Sequence, residues 1–172
     1  MKYTLHWDID QRSEEWFQLR SNSIGGTSSY DLLRLGDKDQ TLVHIAEVNE
    51  RNRRYGNYTS PSAQWGVDNE PVARNLLEEV LRSKEIIRPE QEIAEVGLIT
   101  CDIPNIHQSP DGILIDRANY GDSSAPVDAI IELKCFQMEH SWRLWEKGID
   151  DRIISQIQWG MFFTNAPTGW FA

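Results

Sequence analysis

Two short apolar runs, Ile113-Leu114-Ile115 and Ala129-Ile130-Ile131, constrain this chain more than any other feature. Each is rich in isoleucine and bounded by turn-forming residues, the pattern of a buried strand. Between them, Arg117 to Asp128 is rich in Gly, Ser, Asp and Pro, so the segment reads as a hairpin with a long tip. Ser109-Pro110-Asp111-Gly112 opens the first run and Glu132-Leu133-Lys134 closes the second. Pairing of the two strands therefore brings Asp111 and Glu132 together. Side chains alternate along a strand, so Glu132 and Lys134 share one face while Leu133 points away. Two carboxylates beside a lysine make a site for a hard cation, with a general base or charge-stabilising partner alongside.

The remaining pattern surrounds those strands with helices. Ser13 is the cap of a first helix from Glu14 through Trp16 and Leu19 to Arg20, with acids in the first turn where the dipole favours them. Ile24-Gly25-Gly26-Thr27 breaks the chain and starts a second helix ending near Gly36, and 41–53 reads as a third, followed by a loop over 54–61. From Glu70 to Leu81 the positions Val72, Ala73, Leu76, Leu77, Val80 and Leu81 follow the three-four spacing of an amphipathic helix, with Glu70 in its first turn. Strands are predicted over Glu92 to Thr100, Gly112 to Ile115 and Ala129 to Lys134, helices over 138–147 and 152–163, and a strand at Trp170-Phe171. This order predicts one α/β domain over residues 1–172, a mixed central sheet flanked by helices, and the 40% hydrophobic content suffices for its core.

Other features exclude alternatives. No apolar run approaches a membrane span and Met1 to Asp8 lacks the apolar stretch of a signal peptide, so a cytoplasmic location without a membrane partner is expected. Cys101 and Cys135 stand far apart and read as small buried residues, which counts against a cysteine-ligated iron–sulfur cluster. His6, His44, His107 and His140 have no ligand spacing and read as structural or surface residues.

The motifs also match a known pattern. Asp111 preceded by Pro110, followed by Glu132-Leu133-Lys134, has the form of the PD-(D/E)xK nuclease motif. Arg20, Ile24 to Thr27, Gly66-Val67-Asp68-Asn69-Glu70, Ser109 to Gly112, Glu132 to Cys135 and Gln156-Ile157-Gln158-Trp159 occur in one order between Trp16 and Trp170. In this the chain resembles the YqaJ-like viral recombinase family, to which lambda exonuclease belongs. The resemblance implies a restriction-endonuclease-like fold and an enzyme of phage recombination that degrades duplex DNA from its ends, 5′ to 3′. It implies that Glu70, Asp111, Glu132 and the Leu133 carbonyl hold two Mg²⁺ ions, for which Mn²⁺ can substitute. It further implies that Lys134 positions or deprotonates the attacking water, that Gln156 orients it, and that Arg20, Thr27 and Ser109 receive phosphate groups. Serine is commoner in the family where Thr27 stands, but the hydroxyl is kept. Relatives form rings of three subunits, and a single-strand annealing protein is the expected partner in a bacterial or phage-infected cell. The chain stops at Gly169-Trp170-Phe171-Ala172 without a polar tail, which reads as a shortened family member and leaves the ring less secure.

The implied roles agree with elementary chemistry. Phosphodiester hydrolysis needs a hydroxide, charge neutralisation at phosphorus and a stabilised leaving oxygen, all of which paired Mg²⁺ ions supply. Arg20 offers a bidentate fork to phosphate, and the Gly25-Gly26 turn exposes amides at a helix start beside Thr27. The net charge of −10 counts against nucleic acid, yet carboxylates that hold cations reverse the local sign. Plainer readings stand beside these. Asp111-Gly112 alone is an ordinary turn, Glu70 alone a helix-start acid, Gln156 and Gln158 a solvated polar face, and Gly25-Gly26 a flexible link. Of the seven tryptophans most read as core, with Trp142 and Trp145 as the candidates for base stacking. An endonuclease or resolvase on the same scaffold, or a non-catalytic DNA-binding or assembly protein, are the rival functions.

Overall fold

The computed structural model describes residues 1–21, 23–34, 43, 46, 50, 60–135, 144 and 146–172. The helices expected over 41–53 and 138–147, most of the loop over 54–61, His44, His140, Trp142 and Trp145 lie wholly or largely outside the described residues. The elements run β1 (Tyr3–His6), α1 (Glu14–Ser21), α2 (Gly26–Arg34), α3 (Pro61–Ser83), β2 (Gln91–Ala94), β3 (Leu98–Cys101), β4 (His107–Gln108), β5 (Gly112–Asp116), a 3₁₀ turn (Arg117–Asn119), β6 (Ala129–Glu132), α4 (Asp151–Thr164) and β7 (Thr168–Phe171). No helix among them is long and apolar enough to cross a membrane.

The two isoleucine-rich runs pair as expected. β5 and β6 are antiparallel with Gly112 opposite Ile131 and Leu114 opposite Ala129. They form the centre of a four-stranded sheet in the order β2-β5-β6-β7, in which β7 lies parallel to β6 and makes the sheet mixed. Their runs are continuously apolar because both faces are covered. Ile113, Ile115 and Ile130 pack in one cluster with Phe163 of α4, while Leu114, Ala129, Ile131 and Leu133 pack in another with Leu81, Ala73 and Leu77 of α3. The α/β class with a mixed sheet between helices is thus the observed one.

Three local expectations need correction. The strand expected over Glu92 to Thr100 is two strands in different sheets: β2 edges the four-stranded sheet, whereas β3 is the centre of a three-stranded antiparallel sheet, β1-β3-β4. The break falls at Gly97, where a Cβ would stand 1.7 Å from the Ile9 carbonyl oxygen. That close approach belongs to a distant segment and leaves no local trace. β1 and β4 were not foreseen, since β1 finds its partner only across the chain, Tyr3 opposite Cys101. Finally, α3 begins at Pro61 rather than at Glu70. Ser60 caps it by accepting the Ala63 N–H at 3.2 Å, and Pro61 occupies the first turn, where its missing N–H costs nothing. Residues 61 to 65 are exposed, so they carry no apolar period to read.

Gly97→Ala should lower folding stability by about 3 kcal/mol, because the added methyl meets backbone that cannot yield. Gly66→Ala, in the interior of α3 with nothing within 4 Å of the added atom, should raise it by about 1 kcal/mol. Urea midpoints at constant m-value measure both, and equal midpoints would refute the packing account.

Candidate active site

Because Gly112 stands opposite Ile131, the residues just beyond this pair, Asp111 and Glu132, come together where the ladder ends. Asp111 Oδ2 accepts the Leu133 N–H at 2.7 Å and faces the Lys134 Nζ at 3.4 Å. The same ammonium bonds Glu132 Oε1 and the Leu133 carbonyl, the latter at 3.2 Å. Three oxygens, from Asp111, Glu132 and Leu133, therefore converge on one cationic nitrogen. Leu133 itself is buried under α3, as alternation along the strand requires.

The electrostatics follow from burial. Glu132 is fully buried, and its Oε2 has no hydrogen-bond partner among the described residues. Burial, then the Asp111 charge, push its carboxyl up to about 8 against the pull of Lys134. Burial works to lower the Lys134 ammonium, but Asp111 and Glu132 outweigh it and hold it above the ordinary lysine value. To deprotonate a water Lys134 must first lose its own proton, which this pair of carboxylates opposes.

Glu70 lies on α3 near this pair but is bonded away from it. Its Oε1 accepts from Arg74 Nη2 at 3.0 Å, and burial, then the Asp111 charge, raise its carboxyl. Among the described residues no three His, Cys, Asp or Glu side chains stand close enough to hold an ion, and Glu70 is bonded to Arg74 while Asp111 and Glu132 share Lys134. Arg74 was missed by the sequence reading. It is buried, donates through Nε to the Asp111 carbonyl at 3.0 Å and through Nη1 to Glu95 Oε2 at 2.7 Å, and so ties α3 to the start of β5. Its one sequence signal was the four-residue spacing from Glu70.

A second group of residues gathers at the other sheet. Arg20, in the last turn of α1, lies with its guanidinium 3.9 Å from the Trp16 ring centre, and its side chain makes no hydrogen bond or ion pair among the described residues. Burial, then the Arg12 charge, lower it to about 10. The Trp16 indole N–H donates to the Gly97 carbonyl and to Ser109 Oγ, while the Ser109 hydroxyl donates to the same Gly97 carbonyl at 2.9 Å. Ser109 thus positions the ring beneath Arg20, and to donate to a phosphate it must release that carbonyl.

Thr27 is exposed in the first turn of α2. Gly25 and Gly26 are a close approach and not a flexible link: added Cβ atoms would stand 2.4 Å from His107 Nε2 and 2.2 Å from Gln108 Oε1. His107 is neutral, pushed down to about 3 by burial and then by Arg20, with Nδ1 bonded to Ser23 Oγ at 2.5 Å. Gln156, half-buried on α4, packs its Cγ against the start of α2 at Gly26 and makes no hydrogen bond to Asp111, Glu132 or Lys134. A cavity of about 670 Å³ opens at Lys134 and is lined further by Tyr30, Lys147 and Arg152. Of the tryptophans described, Trp16 is core, Trp7, Trp159 and Trp170 are half-buried, and Trp65 is 48% exposed on α3.

Residues 15–167, which include Arg20, Thr27, Glu70, Arg74, Ser109, Asp111, Glu132, Lys134 and Gln156, match the YqaJ-like viral recombinase domain. The chain belongs to that family. Its fold, a restriction-endonuclease-like one, is similar to that of LHK-Exo, an alkaline exonuclease from Laribacter hongkongensis, with a TM-score of 0.59 and 23% identity over 92% of this chain and 74% of that one. LHK-Exo in complex with dAMP matches with a TM-score of 0.59 and 25% identity, over 90% of this chain and 70% of that one. No curated protein sequence matches.

The shifted Glu132 carboxyl has a measurable consequence. Between pH 4.5 and about 8 the unfolded chain ionises this group while the folded one keeps its proton, so metal-free protein should lose stability as pH rises through that window. His107 has the opposite sign, its contribution being lost as pH falls from 6.5 to about 3. Glu132→Gln should therefore flatten the upper part of the melting-temperature profile and leave the His107 part in place. An unchanged upper slope would mean that Glu132 is ionised in the folded state.

Proposed function

We propose that this protein is a Mg²⁺-dependent exonuclease of the phage recombination type, hydrolysing phosphodiester bonds from duplex DNA ends in the 5′ to 3′ direction. The observation that carries the reading is the convergence of Asp111, Glu132 and the Leu133 carbonyl on the Lys134 ammonium. Oxygens that gather about one cation fit a hard divalent ion, and the buried Glu132 Oε2, which has no partner among the described residues, becomes a free acceptor once a cation displaces the carboxyl proton. Asp111, Glu132 and the Leu133 carbonyl would hold the metal, with Glu70 reached through a change of partner from Arg74. When bound, such ions lower the pKa of water and neutralise charge at phosphorus.

This chain's own residues divide the remaining work. Lys134 holds the attacking water as a fixed positive charge, and Gln156 from α4 helps to orient it. Arg74 keeps the Asp111 backbone in place and moderates Glu70. Arg20, spread on Trp16 without a counter-ion, receives a terminal phosphate, with the Thr27 hydroxyl and the first amides of α2 beside it. Family membership and the likeness to an alkaline exonuclease support a nuclease role. A ring of three copies and a single-strand annealing partner belong to the same proposal.

Asp111→Asn and Glu132→Gln should each lower cleavage of linear duplex with Mg²⁺ by about a hundredfold or more, with covalently closed circles uncut by the parent. Cutting of closed circles would make the protein an endonuclease, and parental rates in either variant would remove the site assignment. Arg20→Ala should reduce the preference for 5′-phosphorylated over hydroxyl ends by roughly tenfold, the worth of a charge-assisted contact. An unchanged ratio of rates would place the terminal phosphate elsewhere.

A further inference from the structure

The loop ahead of α1 is fastened to the site. The Gln11 side-chain amide donates to the Val96 carbonyl at 3.0 Å and to the Pro110 carbonyl at 2.9 Å, the latter one residue before Asp111. The Ser13 N–H closes a turn on the Asp10 carbonyl at 3.1 Å, and Ser13 Oγ caps α1 by accepting the Trp16 N–H. Between these anchors Arg12 adopts φ 71°, in the left-handed region that any Cβ disfavours and glycine occupies freely. A long charged side chain is thus carried at a position whose backbone favours none.

The charge at that position is equally unfavourable in isolation. Arg12 is exposed and makes no hydrogen bond or ion pair among the described residues, in a chain with 27 acids against 17 Lys and Arg. Its neighbour Gln11 is bonded one residue before Asp111, and its neighbour Ser13 caps the helix that carries Arg20, so the loop places it between the carboxylate centre and the cationic seat. Two guanidiniums without counter-ions, close enough to disfavour each other, become favourable when a polyanion lies across both.

We propose that Arg12 is a second phosphate-binding cation of this site, gripping a backbone phosphate of the DNA strand that runs from Arg20 towards Asp111 and Glu132. This rests on the nuclease reading. Arg12 touches no reacting atom; it holds the strand in register with the chemistry. The strained backbone is retained because the loop, fixed by Gln11 and Ser13, aims this residue across the strand path.

The test is a binding measurement that does not depend on turnover. Arg12→Gly suits the left-handed backbone, so its melting temperature should equal or exceed that of the parent, while the guanidinium is lost. Fluorescence anisotropy with a 5′-phosphorylated duplex in EDTA, over a series of KCl concentrations, should show about tenfold weaker binding at low salt and a log-log salt slope smaller by about one. Arg12→Lys should restore the slope and only part of the affinity, since the charge returns without the fork. If Arg12→Gly melts lower than the parent, Arg12→Gln, which keeps the stem, gives the same comparison. Parental affinity and slope in the uncharged variants overturn the proposal. Cleavage by the parent is scored separately: reduced slope without any parental cleavage removes the nuclease reading and keeps Arg12 as a phosphate contact, whereas normal cleavage with an unchanged slope does the reverse.

Discussion

The antiparallel register of β5 and β6, Gly112 opposite Ile131, is the constraint on which the site depends. It is held by side chains that alternate between two covered faces, so a slip of one residue would exchange the contents of both cores. With the register fixed, Asp111 can reach the Leu133 amide, and Lys134 can reach both carboxylates and a carbonyl. The charged cluster is therefore placed by apolar packing and not by its own attractions, which in a buried setting would scarcely repay desolvation.

The same frame separates two tasks. The carboxylates belong to the four-stranded sheet, whereas Trp16, Ser109 and the Arg20 they support hang from Gly97, at the entry to the three-stranded one. Gln11, in the loop after β1, bonds the Pro110 carbonyl, and Arg74 ties α3 to the Asp111 carbonyl beside it. A charged ligand that meets both regions is thus held by elements whose relative position is set by backbone contacts.

What could be read in advance was what local rules govern. Strand alternation sufficed for Asp111, Glu132, Leu133 and Lys134, the three-four spacing for the packed half of α3, and apolar spacing for α4, observed over Asp151–Thr164 against an expected 152–163. What escaped depended on partners far along the chain. The break at Gly97 is imposed by Ile9, the closeness of Gly25 and Gly26 by His107 and Gln108, and the first strand by Cys101 and its neighbours. Arg74 sits beside Ala73 on a helix face that otherwise packs against the sheet, and only its three bonding partners explain a cation there. Glu70 is legible as an acid on α3, whereas its bond to Arg74 is a tertiary fact that only the structure shows.

The pairing of β1 with β3 bears on how the molecule assembles. Tyr3 must meet Cys101, and Leu5 must meet Ile99, across nearly a hundred intervening residues, whereas β5 and β6 are joined by one hairpin. Loop closure over so long a span adds little to the equilibrium cost, since that cost grows only with the logarithm of length, but contacts of such separation slow folding. The hairpin that carries Asp111 and Glu132 can form early, while the sheet supporting Trp16 and Arg20 waits for the chain's distant parts to meet. During that interval the apolar residues of β3, Leu98 and Ile99, lie uncovered on an unpaired strand, which exposes this late-closing sheet to aggregation during synthesis.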